Sequence, residues 1–155
     1  MDREELMGNL IRMTRKVSTE YYGYLSRERE YGINQKLYMR EAHFIDAIGE
    51  KENVTMSEVA EILEITQGAA TQIAERLEKK GLIIREKDIN DKRRMIVNLS
   101  EMGRLVYVEH QKHDEKRRGT IYDHLKEFSE DDIRVCLRYE ELNMKLLKMF
   151  QLEEE

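Results

Sequence analysis

The sequence predicts a mainly α-helical protein with a small β-hairpin wing, arranged as a winged helix-turn-helix flanked by long helices. Three observations lead to this fold class. The 155 residues include no proline, which is the strongest helix breaker. Two short helices with capping residues are expected to meet at a tight joint within residues 53–81. Directly after them, at residues 82–99, the hydrophobic period changes from that of a helix to that of strands.

The two ends of the chain have the periodicity of long amphipathic helices. Apolar residues recur every three or four positions over residues 2–29, and a second helix is expected over residues 37–50. Ser100 is a suitable N-cap for a helix that reaches about residue 126, and Ser129 with Asp132 resembles a capping box for a last helix. A first helix about 40 Å long would lack partner surface within one small domain. We therefore expect the ends of two chains to pack together as a homodimer.

The central segment has the caps that a helix-turn-helix needs. Thr55 or Ser57 can cap its first helix, and Thr66 can cap its second, for which Gly81 is a suitable residue just past the C-terminus. Small residues on both helices permit a close and steep crossing. The expected organisation is one lobe over residues 36–100. A helical region made of residues 1–35 and 101–155 would form the remainder as one composite domain.

Cationic side chains are concentrated from the second of these helices to the tip of the predicted hairpin. Residues 76–94 contain eight Lys and Arg and four Asp and Glu, so this segment is +4 and the remainder is −9 within a formal net charge of −5. Positive charge gathered on one surface of an acidic protein is typical of a phosphate-facing surface. A hairpin tip that is merely solvated is the alternative, and the preceding helix-turn-helix makes it less favoured.

The helix-turn-helix geometry assigns roles to these side chains on double-stranded DNA. The helix that begins at Thr66 would lie in the major groove, where glutamines can pair with adenine and Thr71 can reach a base. Arg93 would probe the flanking minor groove, and Asp91 could hold its guanidinium in a bidentate ion pair. Gln67 and Gln72 could instead be ordinary exposed polar residues of the helix, or they could contact only phosphates. The predicted DNA-binding residues are Thr66, Gln67, Gly68, Ala69, Thr71, Gln72, Arg76, Lys87, Asp91, Arg93 and Arg94.

Motifs within residues 37–104 resemble those of the multiple-antibiotic-resistance regulator (MarR) family. They are VAEILEITQGAATQIAERLEKKGLI, the wing sequence DKRR and the sequence VNLSEMGR. The resemblance implies a winged helix-turn-helix regulator, usually a repressor, that binds a pseudo-palindromic operator as an obligate homodimer formed by its first and last two helices. It also implies a small anionic or phenolic effector between the dimerisation and DNA-binding lobes. Glu64 departs from the family pattern, which often has Gly at this turn.

A narrower resemblance concerns residues 41–49 and two later histidines. They are similar to the branch of the family that represses fatty-acid-synthesis genes in Gram-positive bacteria, which implies an acyl carrier protein with a long acyl chain as corepressor. The alternative for Tyr21 and Tyr24, which are predicted to line an effector pocket, is a place in the core of the dimer interface. The residues expected to line an effector pocket are Tyr21, Tyr24, His43, His110 and His113.

The same histidines raise the possibility of a metal site. His110 and His113 are three positions apart on one helix, and with His43 and the nearby Glu41 and Glu109 they could bind zinc, as in zinc-sensing members of the family. Ala42 replaces an acidic residue of those members, and the histidine spacing differs. A buried, hydrogen-bonded histidine cluster or a polar pocket lining is therefore preferred, no cofactor is expected, and zinc sensing is an alternative.

Other function classes find no support in the sequence. The sequence contains none of the H-E-x-x-H, G-x-G-x-x-G, G-K-[ST] or C-x-x-C motifs, so we expect no enzyme. Cys136 is the only cysteine, and its apolar surroundings predict a packed, inert thiol. A signal peptide and an apolar run of membrane-spanning length are lacking, which predicts a cytoplasmic protein. The alternative from another class is a winged-helix protein-interaction module that does not bind DNA.

Overall fold

The computed structural model of the chain describes residues 2–89 and 91–153. Its elements in chain order are α1 (Arg3–Leu25), β1 (Glu28–Glu30), β2 (Lys36–Tyr38), α2 (Met39–Gly49), β3 (Val54–Thr55), α3 (Met56–Ile62), α4 (Gln67–Lys79), β4 (Ile83–Lys87), β5 (Met95–Leu99), α5 (Glu101–Leu125) and α6 (Glu130–Glu153). This mainly helical composition with small antiparallel sheets confirms the predicted fold class.

Two compact units are present, residues 1–113 and residues 114–155. The predicted division into residues 36–100 and their flanks stays a prediction. Four residues of the predicted regions lie outside the described residues. They are Met1, Glu154 and Glu155 at the ends of the chain and Asn90 in the predicted hairpin.

Side-chain caps define where α3 and α4 begin. The Thr55 hydroxyl accepts a hydrogen bond from the Glu58 amide at 3.3 Å, and the Glu58 carboxylate accepts one from the Thr55 amide at 2.8 Å, which completes a capping box. Hydrogen bonds from the Lys51 ammonium and from Thr55 lower the pKa of Glu58 from its ordinary 4.5 to about 2. The Thr66 hydroxyl accepts from the Ala69 amide at 3.2 Å. The predicted caps of both helices are therefore confirmed, the first of them at Thr55.

One hydrophobic core joins α2, α3, α4 and the wing strands. Ala60 and Ala70 are buried on α3 and α4, and their small side chains allow the two helices to approach closely. Each large apolar side chain that is fully buried contributes roughly 1.5–3 kcal/mol. The larger core residues are Tyr31, Leu37, Phe44, Ile45, Ile48, Val54, Val59, Ile73, Leu77, Leu82, Ile83, Val97 and Val106. This core determines which face of α4 is turned to solvent.

The turn between α3 and α4 has left-handed backbone at a residue other than glycine. The Ile65 amide donates to the Ala60 carbonyl at 3.0 Å, and the Glu64 amide donates to the Glu61 carbonyl at 3.1 Å. These two bonds form a Schellman motif, which requires positive φ at its C′ residue. Glu64 supplies it with φ of 52°. The turn therefore keeps the geometry that glycine would favour.

The C-terminal end of α4 is joined to the first turn of α5. Gly81 has φ of 70°, and the Ser100 hydroxyl donates to its carbonyl oxygen at 2.6 Å. The Ser100 amide donates to the Leu82 carbonyl at 3.1 Å, while the Ser100 hydroxyl accepts from the Gly103 amide at 3.0 Å. A Cβ atom at Gly103 would lie 1.9 Å from the Leu82 carbonyl oxygen. Only glycine at position 103 allows α5 to lie this close to the Leu82 carbonyl. The hydrogen bond from the Gly103 amide confirms the predicted cap at Ser100.

The strands form two antiparallel sheets, with orders β1-β2 and β3-β5-β4. The wing hairpin of β4 and β5 was expected, whereas β3 and the β1-β2 hairpin were not. The predicted helix over residues 37–50 begins later, at Met39, because Lys36–Tyr38 pairs with Glu28–Glu30. Gly32, with φ of 71°, lies in the connection between these two strands.

Neither terminal helix buries a side chain over residues 3–25 and 130–151. No residue of α1 is buried, although Leu6, Leu10 and other apolar side chains recur along it. In α6 the Ser129 hydroxyl accepts from the Asp132 amide at 3.2 Å, and the Asp132 carboxylate accepts from the Ser129 amide at 2.9 Å, so the predicted capping box is confirmed. Cys136 is exposed, so its prediction as a packed thiol is wrong for the single chain. Within the described residues no helix is long and apolar enough to cross a membrane.

Candidate nucleic-acid interface

The exposed face of α4 begins at its N-terminal end. Gln67, Thr71 and Gln72 are exposed, because the core holds the opposite face of the helix through residues such as Ala70 and Ile73. The Gln67 side-chain amide donates to the Ser57 hydroxyl of α3 at 2.8 Å, and the Thr71 hydroxyl donates to the Gln67 carbonyl at 2.9 Å. The polar groups at this end are therefore partly fixed before any partner binds.

The wing loop is organised by main-chain hydrogen bonds. The Asp91 carboxylate accepts from the Arg93 amide at 3.0 Å, and the Asp91 carbonyl accepts from the Arg94 amide at 2.9 Å. Among the described residues no ion pair joins Asp91 to the Arg93 guanidinium, so the bidentate pair expected from the sequence is wrong. The physical reason is that the carboxylate closes its own turn, as aspartate commonly does two residues before an amide.

A cleft of about 290 Å³ lies between α4 and the wing. Three arginines from the wing strands and loop line it, opposite hydroxyl and amide groups from α3 and α4. The lining residues are Thr55, Met56, Ser57, Gln67, Thr71, Arg85, Arg93, Arg94 and Met95. A cationic wall facing neutral hydrogen-bonding groups is suited to an oxyanion such as a backbone phosphate.

Two of the cations counted in the basic segment are paired within the protein. The Arg85 guanidinium forms an ion pair with Glu78, with its Nε atom 3.0 Å from the carboxylate, although Arg85 also lines the cleft. The Lys80 ammonium lies 2.9 Å from the buried Glu41 carboxylate. The sequence count of eight cations therefore overstates the charge directed outward, and Arg93 and Arg94 are the better candidates for contact with an anion.

The predicted DNA-binding residues divide into two groups. Gln67, Thr71, Arg93 and Arg94 line the cleft together. Those on α4 and the wing that do not line it are Thr66, Gly68, Ala69, Gln72, Arg76, Lys87 and Asp91. Ser57 and Arg85 line the cleft without having been predicted. Ser57 had been considered only as a helix cap, and Arg85 was part of a charge count with no position in space.

A second cavity, of about 400 Å³, lies in the first unit between the end of α1 and the start of α2. Its lining residues are Tyr21, Tyr22, Leu25, Ser26, Tyr38, Arg40 and His43. Tyr21 and His43 were among the predicted effector residues. Tyr24 instead stacks on Tyr21 with ring centroids 6.3 Å apart and carries the Arg29 guanidinium 4.0 Å above its ring.

Two of the histidines predicted for the same pocket pack edge-on against the buried Tyr31, and the third lies beside one of them. The His110 ring centroid lies 5.5 Å from that of His43 and 5.5 Å from that of Tyr31, and His113 lies 6.1 Å from Tyr31. His113 Nε2 is 3.5 Å from the Glu109 carboxylate. Within residues 2–89 and 91–153, no group of three or more His, Cys, Asp or Glu side chains has the proximity that a metal ion needs.

Comparison with known proteins identifies relatives with this architecture. Residues 37–94 match the model of the MarR family. The HTH-type transcriptional regulator PchR of Bacillus subtilis (strain 168) is 25% identical over 101 residues, which cover 65% of this chain and 60% of PchR. The chain thus spans less than two thirds of that relative's length.

Solved structures have the same fold. The crystal structure of Streptococcus pneumoniae FabT in complex with DNA aligns with a TM-score of 0.62 and 26% identity, over 96% of this chain and 99% of FabT. Lactococcus lactis ZitR, a zinc-responsive MarR family member, aligns with a TM-score of 0.72 and 22% identity, over 91% of this chain and 99% of ZitR. At that identity, the similarity to ZitR concerns the fold alone.

Proposed function

We propose that the chain is a MarR-family helix-turn-helix transcriptional regulator, because residues 37–94 match the model of that family, and that it binds DNA sequence-specifically and acts as a repressor from a pseudo-palindromic operator. MarR-family regulators are DNA-binding proteins and not enzymes. The observation that carries the proposal is the cleft in which Arg93 and Arg94 of the wing face the exposed end of α4. This function requires access to chromosomal DNA, which supports the expected cytoplasmic location.

The exposed end of α4 is the part that would read base sequence. A helix of 13 residues is about 20 Å long, which suits insertion of its N-terminal turns into a major groove. Thr71 and Gln72 would meet base edges, while Gln67, which is bonded to Ser57, would present its remaining acceptor. Thr66, Gly68 and Ala69 would bring the amide end of the helix close to a phosphate.

The wing would bind the backbone beside the groove that α4 reads. Arg93 and Arg94 would neutralise phosphates at the cleft, and Arg93 would also enter the narrower adjacent groove. Arg76 and Lys87 would add exposed positive charge to the two sides of this surface. Asp91 would act through the turn that it closes and would not itself contact DNA.

A second copy of the chain would cover the apolar side chains that the terminal helices expose. In α1 the apolar residues Leu6, Met7, Leu10 and Met13 are 46–59% exposed, and with Arg3 and Asn9 they line a shallow groove. In α6 the residues Leu142 and Phe150 are 51% and 50% exposed. Contiguous apolar surface of this kind marks an association site, and two copies related by a twofold axis would match a pseudo-palindromic operator.

The cavity at the start of α2 is the site we propose for an effector. Three tyrosines and an apolar leucine would enclose a ring or an acyl chain, and Arg40 would pair with an anionic group. His43 lines the cavity and also approaches His110, so the histidine cluster borders this site without forming its centre. A long-chain acyl effector stays among the candidates to be tested, because residues 41–49 resemble the branch of the family that represses fatty-acid-synthesis genes.

Zinc sensing is the alternative within the same class, because ZitR is zinc-responsive. The residues that would hold the ion, His43, Glu109, His110 and His113, do not fit it, since the described side chains offer no metal-holding group. Calorimetric titration of the protein with zinc tests this alternative. Binding tighter than millimolar that is abolished by His43→Ala and His110→Ala would favour zinc sensing.

The experiment for DNA binding begins with selection of the tightest duplex from a random-sequence library. Affinity for that duplex is then measured over a series of salt concentrations with the wild-type chain, with Arg93→Ala and with Arg27→Ala. Arg27 is an exposed arginine outside the cleft and serves as the matched charge control. We expect Arg93→Ala to reduce the salt slope by about one per protomer, and Arg27→Ala to leave it unchanged.

Two results would contradict the proposal. Equal slopes for all three proteins would show that the cleft does not hold a phosphate. An absence of salt-dependent binding to any duplex would favour the protein-interaction module instead.

A further inference from the structure

Lys80, the C-cap residue that follows α4, directs its ammonium toward α2 and β2 instead of toward the proposed DNA surface. Its ammonium lies 2.9 Å from Glu41 Oε2 on α2 and donates to the Lys36 carbonyl of β2 at 3.0 Å. Its own carbonyl accepts from the Gln35 side chain at 3.3 Å. Three hydrogen bonds thus fasten one end of α4 to α2 and to the β1-β2 hairpin.

Among the described residues, Lys80 is the one charged partner of Glu41. Its side chain is 1% exposed, and the Oε2 atom also accepts the Tyr38 amide at 2.9 Å, which places the carboxylate at the first turn of α2. The Oε1 atom is buried without a hydrogen-bond partner among the described residues. A buried carboxylate depends strongly on its one cation, so the position of Lys80 and hence of the end of α4 is tightly determined.

The location of the pair separates it from the DNA contacts. Lys80 follows the last turn of α4, whereas Gln67 and Thr71 at the cleft belong to the first two turns. An ion pair to the buried Glu41 carboxylate would restrict the angle of α4 at this end, and that angle would decide whether the other end of the helix reaches the base edges.

We propose that Glu41 and Lys80 form a positioning pair, which determines operator affinity by orienting α4 and does not itself contact DNA. This inference rests on the proposed function. It differs from the sequence-based view, in which Lys80 counts among the cations that face phosphate.

A double-mutant cycle tests the pair on the duplex selected by the wild-type chain. The variants are Lys80→Met, Glu41→Gln and the double variant, and Lys79→Met is the matched control, because Lys79 is the exposed neighbour on the same helix. We expect each single variant of the pair to lose about tenfold in affinity, as contacting residues commonly couple by this amount. The double variant should lose no more than the worse single variant.

The salt slope separates positioning from phosphate contact. Removal of the pair should leave the slope unchanged, whereas a lost phosphate contact lowers it by about one per protomer. A lower slope for Lys80→Met together with wild-type affinity for Glu41→Gln would overturn the proposal.

Thermal unfolding of each variant guards against a purely structural role, and affinities are compared well below the lowest unfolding midpoint. Variants that unfold earlier but bind the duplex with wild-type affinity would also overturn the proposal. These outcomes differ from failure of the proposed function, in which the wild-type chain itself would select no duplex.

If the wild-type chain selects no duplex, hydrogen exchange at the Gly81 and Leu82 amides tests the pair in the free protein. Faster exchange in Lys80→Met and Glu41→Gln but not in Lys79→Met supports it, and unchanged exchange overturns it.

Discussion

Glu64 tests whether its left-handed backbone conformation destabilises the protein, because one substitution there should stabilise the protein without adding a contact. The residue occupies the C′ position of α3 with φ of 52°. Left-handed backbone costs a residue with a Cβ atom roughly 1–2 kcal/mol, and glycine avoids this cost. Glycine also makes the unfolded chain more flexible, which removes roughly 0.5–1 kcal/mol of the gain. Glu64→Gly should therefore raise the free energy of unfolding by about 0.5–1 kcal/mol.

The end of α4 provides the reciprocal experiment in the same motif. The Leu82 amide donates to the Leu77 carbonyl and the Gly81 amide donates to the Glu78 carbonyl, both at 2.9 Å. Gly81 has φ of 70°, and a Cβ atom there would meet nothing within 4 Å. Gly81→Ala should therefore lower the free energy of unfolding by about 0.5–1 kcal/mol through backbone conformation alone.

Thermal and denaturant unfolding at one fixed protein concentration measure both changes, since self-association would shift the midpoint. A gain of this size corresponds to a rise of about 1–4 °C in Tm. Glu64→Ala is the control, because it removes the carboxylate from the negative end of α3 but keeps the Cβ atom. It should gain only a few tenths of a kcal/mol. If Glu64→Ala stabilised as much as Glu64→Gly, the effect would be electrostatic and the backbone explanation would be refuted.

Three further substitutions test other contacts. Gly103→Ala should lower the free energy of unfolding by about 1–3 kcal/mol or more, measured by denaturation, because its Cβ would lie 1.9 Å from the Leu82 carbonyl oxygen. Gly49→Ala should also destabilise, because its Cβ would lie 2.2 Å from the Tyr107 ring, and fluorescence should report the displaced tyrosine. The Glu58 carboxyl, with its pKa lowered to about 2, contributes stability that is complete above pH 4.5 and is lost as the pH falls toward 2. Carboxyl NMR titration should find this pKa, and Glu58→Gln should flatten the pH dependence.

The features that the sequence predicted well depend on local chemistry. Thr66 and Ser100 cap helices through amides only three residues away, and Gly81 ends α4 through its own backbone freedom. The alternation from Met95 to Leu99 gives a strand at those bounds, because successive side chains must face opposite sides of a sheet. Each of these signals is complete within a few residues, so neighbours elsewhere in the chain cannot change it.

The features that the sequence missed depend on contacts between distant segments or on very short elements. The strands of the β1-β2 hairpin have three residues each, too few for a period to be recognised. Lys80 pairs with Glu41, 39 positions earlier, and nothing in either local sequence marks the partner. The cavity lined by Tyr38 and Arg40 likewise exists only where α2 meets the end of α1.

The helix α2 carries residues of both sites proposed for the first unit, the effector cavity and the Glu41–Lys80 pair. Its first turns carry Arg40 and His43 toward the effector cavity and Glu41 toward Lys80 at the end of α4. These side chains are within four residues on one helix, so a ligand that displaces the start of α2 through Arg40 would also displace the Glu41 carboxylate. A displacement of α2 would move Glu41 relative to Lys80, and through the proposed pair it would change the angle of α4. Regulation of DNA affinity would then need no ligand contact with the recognition helix itself.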